Sequence, residues 1–253
     1  MGKLTWQLSE PLDAVVFDCD STLSQIEGIT VLAKENGVEQ DVVDLTELAM
    51  NETGLNEALY AKRLNLVRPT LDQVVKTSDL YYKKITPDVE QVIHILRRCG
   101  KAIFVVSAGL YQSVAPFAER LDIPLSHVHA VETSFDKNGH YLDFDHKSAM
   151  VRPDGKREVA ELIQETYPAI AHIGDGMNDI AAAGVVERFI GYGGSCYREV
   201  IANLSDFYVK SLSLLPLLPL LLTELEVTLL PDEDKKLYAK GLEMLKAGDV
   251  LIH

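Results

Sequence analysis

Two hydrophobic periodicities alternate along this chain and divide it into strands and helices. Val15-Val16-Phe17 is an apolar run without alternation, the pattern of a strand buried on both faces of a parallel sheet, and it ends abruptly on Asp18-Cys19-Asp20-Ser21-Thr22-Leu23. Helical spacing follows to about Ile85. Ile29, Leu32 and Ala33 form a short stripe stopped by Gly37, and Val42, Leu45 and Ala49 form a second. Leu55, Leu59, Arg63 and Leu66 follow at spacings of four, four and three, which sets Arg63 on the apolar face of its helix. Thr70 and Gln73 are a capping-box pair opening another helix. Thr86-Pro87 starts the next, with Val89, Val92, Ile93 and Leu96 on one face and Gly100 as its stop.

Beyond Gly100 strands and helices alternate. Strands are predicted over 102–106, 170–174, 189–192 and 207–210, and a helix carries Val114, Phe117 and Leu121, with Pro116 leaving its start open. Such alternation implies right-handed crossovers and a parallel sheet. Asn138-Gly139 predicts a hairpin between 128–135 and 140–144. The expected fold class is α/β, a doubly wound, mostly parallel sheet (a Rossmann-like core) with a helical cap inserted after the first strand. Its divisions are 1–24 and 85–222 for the core, 25–84 for the cap, and 223–253 for a helical C-terminal extension. An insertion leaving directly after Asp20-Ser21-Thr22 stands over the carboxyl edge of the sheet, where a lid would sit. In the extension Tyr238, Leu242 and Leu245 form a modest stripe among Lys235, Lys236, Lys240 and Lys246, read either as a helix docked on its own core or as a contact in a homodimer.

Composition narrows the functions open to this fold. Lys and Arg number 24 against 38 Asp and Glu, a net charge of −14, which argues against a broad nucleic-acid surface, since phosphate binding needs clustered basic residues. Cys19, Cys99 and Cys196 are scattered and lack metal-type spacing, as expected of reduced thiols in the cytoplasm. No apolar core segment lies within residues 1–11, so no signal peptide is expected. The leucine-rich run over 212–222 is too short for a membrane span and carries Pro216 and Pro219, which suits a packed helix end. His127 and His129 could share one side of a strand as metal ligands, but on a hairpin edge a solvated pair is the simpler reading.

Candidate chemistry gathers at the strand ends. Asp18 and Asp20 flank one residue where a buried strand stops, and burial disfavours ionised Asp unless something pairs it. A hard divalent cation held by oxygens, such as Mg²⁺, is the natural partner, with Asp18 as nucleophile or ligand and Asp20 as a proton-transfer group. An ordinary strand-ending turn would use the same residue types. Ser107-Ala108-Gly109 closes the predicted strand over 102–106 with a hydroxyl and free backbone N–H groups. Lys156 heads a helix bearing Val159, Leu162 and Ile163, and Gly174-Asp175-Gly176-Met177-Asn178-Asp179 brings two further carboxylates to a strand end. Four Asp residues on one edge with nothing else to neutralise them point to a metal-assisted site.

In order, Asp18-Cys19-Asp20-Ser21-Thr22, Ser107-Ala108-Gly109, Lys156 and Gly174-Asp175-Gly176-Met177-Asn178-Asp179 resemble the four motifs of the haloacid-dehalogenase superfamily of aspartate-nucleophile phosphatases. More closely the chain resembles the branch of that superfamily that acts on phosphoserine, over about Leu12 to Leu222. Glu27-Gly28-Ile29, and Ala49-Met50 followed by Arg63, match its cap, and the segment over 189–194 matches its late strand and loop. The resemblance implies Asp18 as nucleophile and Asp20 as general acid and then base. It implies Mg²⁺ held by Asp18, the Asp20 carbonyl and Asp175 with Asp179 in support, and Ser107, Lys156 and Asn178 around the phosphoryl group. Met50, Ala108 and Gly109 would line the substrate site, and Glu27 and Arg63 would take the ammonium and carboxylate of O-phosphoserine. The chain departs from the pattern at Ala108, Asn51 and Asn56, where the family usually has Gly, Gly and Phe. Another small phosphate ester, or transfer to an acceptor other than water, would use the same chemistry. A phospho-aspartate switch, or an inactive scaffold using the extension, would share the acidic edge without turnover.

Overall fold

The computed structural model describes residues 6–48 and 56–253. The expectations placed on Ala49, Met50, Asn51 and Leu55 lie outside the described residues. The first strand, β1 (Ala14–Phe17), leads through a single wide turn, Cys19–Leu23, into four helices: α1 (Gly28–Glu35), α2 (Glu39–Leu48), α3 (Glu57–Val67) and α4 (Leu71–Lys83). There follow α5 (Val89–Arg98), β2 (Ala102–Leu110), α6 (Tyr111–Arg120), β3 (Val128–Val131), β4 (Thr133–Phe135), β5 (Tyr141–Phe144), α7 (Gly155–Gln164), β6 (Ile170–Gly174) and α8 (Met177–Ile180). The chain continues with β7 (Arg188–Tyr192), α9 (Glu199–Leu204), β8 (Phe207–Val209), α10 (Leu217–Leu221), α11 (Glu224–Leu229), α12 (Asp232–Met244) and β9 (Val250–Ile252).

One seven-stranded sheet runs β3-β2-β1-β6-β7-β8-β9 and is parallel except for β9 on β8. Alternation of side chains along β1 decides which face each residue serves. Val15 and Phe17 enter one core with α5, α6 and α10, whereas Ala14 and Val16 enter the other with α1, α3 and α7. Both faces are covered, so the strand reads as an unbroken apolar run. Registers place Phe17 opposite Ile173 and Val105, and Gly174 opposite Gly191, so the segments after β1, β6 and β7 emerge on one edge. The leucine-rich run is packed inside, with Leu214, Leu215, Leu217, Leu218, Leu220 and Leu221 buried.

Four expectations change. The segment over 128–131 is not part of the hairpin but pairs in parallel with β2 as an edge strand, leaving β4 and β5 as the hairpin, because the chain satisfies more backbone groups on the open sheet edge. The strand expected to end before Ser107 continues to Leu110 with an irregular register after Val106, so Ser107 lies inside an element. The buried face of α3 is Leu59, Tyr60, Arg63, Leu64 and Val67, and Leu66 of the predicted stripe is exposed. The segment over 223–253 is not wholly helical: β9 adds to the sheet beside β8, an apolar trio too short to outweigh the helical stripe before it.

Candidate active site

β1 delivers Asp18 to the carboxyl edge with its backbone N–H still bonded to Ile173, so the side chain is fixed by the sheet itself. The chain then turns sharply: Ser21 takes a left-handed conformation, φ 54°, and its hydroxyl donates to Glu27 at 2.7 Å. β6 delivers Asp175 to the same edge, and the short helix α8 returns Asp179 beneath it. Gly174 permits this return, since a Cβ there would lie 2.0 Å from the Asp179 carboxyl carbon. One oxygen from each of Asp18, Asp175 and Asp179 lies within 4.8 Å of the others, and all three residues are buried.

Lys156 opposes this negative charge from the first turn of α7. Its Nζ lies 2.8 Å from Asp18 Oδ1 and 2.7 Å from Asp179 Oδ1. Burial works against the ammonium, but Asp179 and Asp18 outweigh it and hold its pKa above the ordinary value. His172 Nε2 sits 2.8 Å from the same Asp179 oxygen and the Gly176 N–H donates to the other. Both Asp179 oxygens are therefore occupied, and despite burial its carboxyl is held below the ordinary range by Lys156 and His172. Burial instead raises Asp18 well above that range, with Lys156 opposing and the neighbouring carboxylates adding to the rise, and lifts Asp175 to about 6. Asp175 Oδ1 is buried without a hydrogen-bond partner. An orphaned carboxylate oxygen facing two more acids is the donor set a hard cation seeks, so these residues fit a metal ion.

Asp20 points from the turn into a cleft lined by Asp18, Glu27, Gly28, Tyr60, Arg63, Tyr81, Ala108, Gly109 and Asn178 among others. Its Oδ1 accepts from the Gly28 N–H at 2.6 Å and the Tyr81 hydroxyl at 2.7 Å, and Ser107 Oγ lies 3.4 Å from Oδ2. Ser107 Oγ also accepts from the Gly109 N–H at 2.9 Å. Arg63 is buried, stacks over Tyr60 with its guanidinium carbon 5.6 Å from the ring centroid, and donates to Thr46 at 3.3 Å, leaving Nε without a partner. Glu27 turns into the cleft, and burial raises its carboxyl to about 8.

The fold thus brings Asp18, Asp20, Glu27, Arg63, Ser107, Ala108, Gly109, Lys156, Asp175, Asn178 and Asp179 to one edge and its overlying cleft; Met50 lies outside the described residues. Asn56 does not reach the cleft lining but caps α3, accepting from the Leu59 N–H at 3.0 Å. His127 stacks on Phe104, ring centroids 4.1 Å apart, with Nδ1 3.0 Å from the Ile103 oxygen, so a packing role accounts for it without zinc. Three residues not expected from the sequence, Tyr81, His172 and Arg198, also reach the site. Arg198, buried, lies 3.5 Å from Asp175 through Nε and donates to Glu47 of α2 at 3.0 Å through a terminal nitrogen. The signal for it was its place as the first basic residue after a parallel strand that ends at an acidic edge. Tyr81 gave none, since it approaches Asp20 across 61 residues.

A wound parallel sheet with an aspartate-bearing edge of this geometry defines a class, and sequence comparison fixes it: the chain belongs to the haloacid dehalogenase-like hydrolases, whose family model matches residues 12–186. Within that family it is similar to the phosphoserine phosphatase of Bos taurus, 33% identical over 199 residues that span 78% of this chain and 88% of that protein. Among solved structures, a phosphoserine phosphohydrolase-like protein from Francisella tularensis superposes with a TM-score of 0.72 at 26% identity, over 79% of this chain and 96% of that one. A substrate-bound phosphoserine phosphatase complex superposes with a TM-score of 0.71 at 26% identity, over 81% and 96%. Among the described residues no helix is long and apolar enough to cross a membrane.

Proposed function

We propose that this phosphoric monoester hydrolase acts on O-phosphoserine, releasing serine and phosphate through a covalent phosphoryl group on Asp18. One observation carries the reading: the cleft that opens on Asp18 and Asp20 is lined by a half-buried carboxyl, Glu27, and a buried guanidinium, Arg63, the two kinds of group a zwitterionic amino acid requires. In this reading Asp18 attacks phosphorus in line, and Asp20 gives its proton to the departing alkoxide, then takes one from the attacking water. Lys156, Ser107 and the backbone N–H groups after Asp18 hold the phosphoryl oxygens, while Asn178 orients the nucleophile. Glu27 takes the ammonium and Arg63 the carboxylate, with Met50, Ala108 and Gly109 bounding the substrate. Asp18, the Asp20 carbonyl and Asp175, steadied by Asp179, would hold Mg²⁺, which when bound supplies positive charge between the nucleophile and the phosphate.

The same reading takes 1–24 and 85–222 as the catalytic core, 25–84 as a cap and 223–253 as an extension. It places the enzyme in the cytoplasm on its three unpaired cysteines. Ala108 supports a second reading, a different small ester, because its methyl adds bulk to the cleft while its carbonyl is held by the Tyr60 hydroxyl at 3.1 Å.

Two measurements test the proposal. Phosphate release from O-phosphoserine should be abolished by EDTA and restored by Mg²⁺. Arg63→Ala should raise KM for O-phosphoserine by about tenfold to a hundredfold, the worth of one charge-assisted contact, while barely changing an ester that lacks a carboxylate. Equal losses on both esters would overturn the amino-acid assignment.

A further inference from the structure

Asp20 is the group that must carry a proton to the leaving oxygen, and a carboxyl group has two oxygens on which to carry it. The structure makes them unequal. Oδ1 receives two donors, the Gly28 N–H at 2.6 Å and the Tyr81 hydroxyl at 2.7 Å. Oδ2 faces Ser107 Oγ at 3.4 Å and lies 2.9 Å from where a Cβ on Gly109 would stand. A carboxyl oxygen that accepts from two donors has no room for a proton of its own.

We propose that Tyr81 is a positioning residue for the hydrolysis: its hydroxyl, with the Gly28 amide, occupies Oδ1 of Asp20, so the transferable proton resides on Oδ2, beside Ser107 and the phosphoryl pocket. The inference rests on the phosphatase reading of the site. An Asp18 oxygen forms a bond to phosphorus, and the bond from phosphorus to the leaving oxygen breaks with its electron pair on that oxygen. The proton on Asp20 Oδ2 passes to it, and Asp20 is left ionised.

Three further observations support Tyr81 in this role. Its ring is buried and packs against Phe117 with centroids 5.5 Å apart, and its carbonyl accepts from the Ser24 hydroxyl at 2.9 Å, so the hydroxyl is held from behind. Burial, with Asp20 next, raises the phenol well above its ordinary pKa, which keeps it a neutral donor. Gly28 leaves the space the phenol needs: a Cβ there would lie 2.2 Å from the Tyr81 oxygen.

Tyr81→Phe and, independently, Gly28→Ala test the role by the leaving group they are given. The ratio kcat/KM is compared for O-phosphoserine, whose alkoxide needs a proton, and p-nitrophenyl phosphate, whose leaving group departs as a stable anion. For each variant we expect kcat/KM on O-phosphoserine to fall about tenfold to a hundredfold through kcat, and on p-nitrophenyl phosphate by less than about threefold. Thermal melting reports whether a variant is folded. Equal falls on both esters, or none on either, in a folded variant would overturn the inference. A wild-type protein that hydrolyses neither ester would instead overturn the phosphatase reading and this inference with it.

Discussion

Asp18, Asp175 and Asp179 stand close enough to repel one another, yet they are not equivalent, because each meets different neighbours. Asp179 is held ionised by Lys156 and His172, whereas burial dominates at Asp18 and Asp175 and raises both. Glu27 carries the same conflict into the cleft. Its carboxyl titrates at about 8 in the folded protein against an ordinary 4.5, through burial first and then Asp20. The folded state therefore keeps a proton that the unfolded chain gives up above 4.5, and this contribution to stability is fully present below that pH and lost as pH rises through about 8. Glu27→Gln, which cannot ionise, should gain thermal stability relative to wild type across that interval, measured by melting temperatures along a pH series. A constant difference across the series would show that Glu27 is not raised. The proposed pairing of Glu27 with Arg63 was legible only from the resemblance, since Glu27 follows a turn whose direction is set by the left-handed backbone of Ser21.

At the scale of elements, the glycines before the charged residues decide whether the charges meet. α7 starts at Gly155, where a Cβ would lie 1.7 Å from the Ala149 carbonyl oxygen, so the helix can seat its first turn against the preceding backbone only without a side chain. That seating puts Lys156 inside. Gly155→Ala should cost about 1–3 kcal/mol of stability by overpacking and should reduce phosphate release as well, read from urea midpoints and initial rates. Loss of neither would separate the helix start from the placement of Lys156. The strands were legible because their apolar runs are buried on both faces; the end of β2 was not, because the irregular pairing after Val106 depends on β3, whose partner the sequence did not reveal.

For the whole molecule, the last residues close the sheet rather than append to it. β9 pairs antiparallel to β8, α12 packs on α10, and Lys101, at the foot of β2, is buried against Glu226 of α11 with Nζ and Oε1 2.6 Å apart. Removing the partly buried Glu226 takes the carboxylate from the buried Lys101 ammonium and leaves it on the Leu12 carbonyl at 3.0 Å. Glu226→Ala should therefore destabilise the protein by about 3 kcal/mol, and Lys101→Met combined with Glu226→Leu should recover much of that loss, both by equilibrium urea unfolding. A Glu226→Ala protein as stable as wild type would show the contact to be incidental.

The sequence by itself determined the alternation of buried strands and amphipathic helices, the insertion after β1 and the convergence of four Asp residues with Lys156 on one edge. These follow from short-range periodicity and from strand ends, which a linear chain displays. Tertiary structure alone decided the partners of Arg198, the orientation of Asp20 by Tyr81, the joining of β3 and β9 to the sheet and the inward turn of Glu27. Each depends on a contact between segments far apart in the chain, and no local pattern of apolar and polar residues encodes which distant group will arrive.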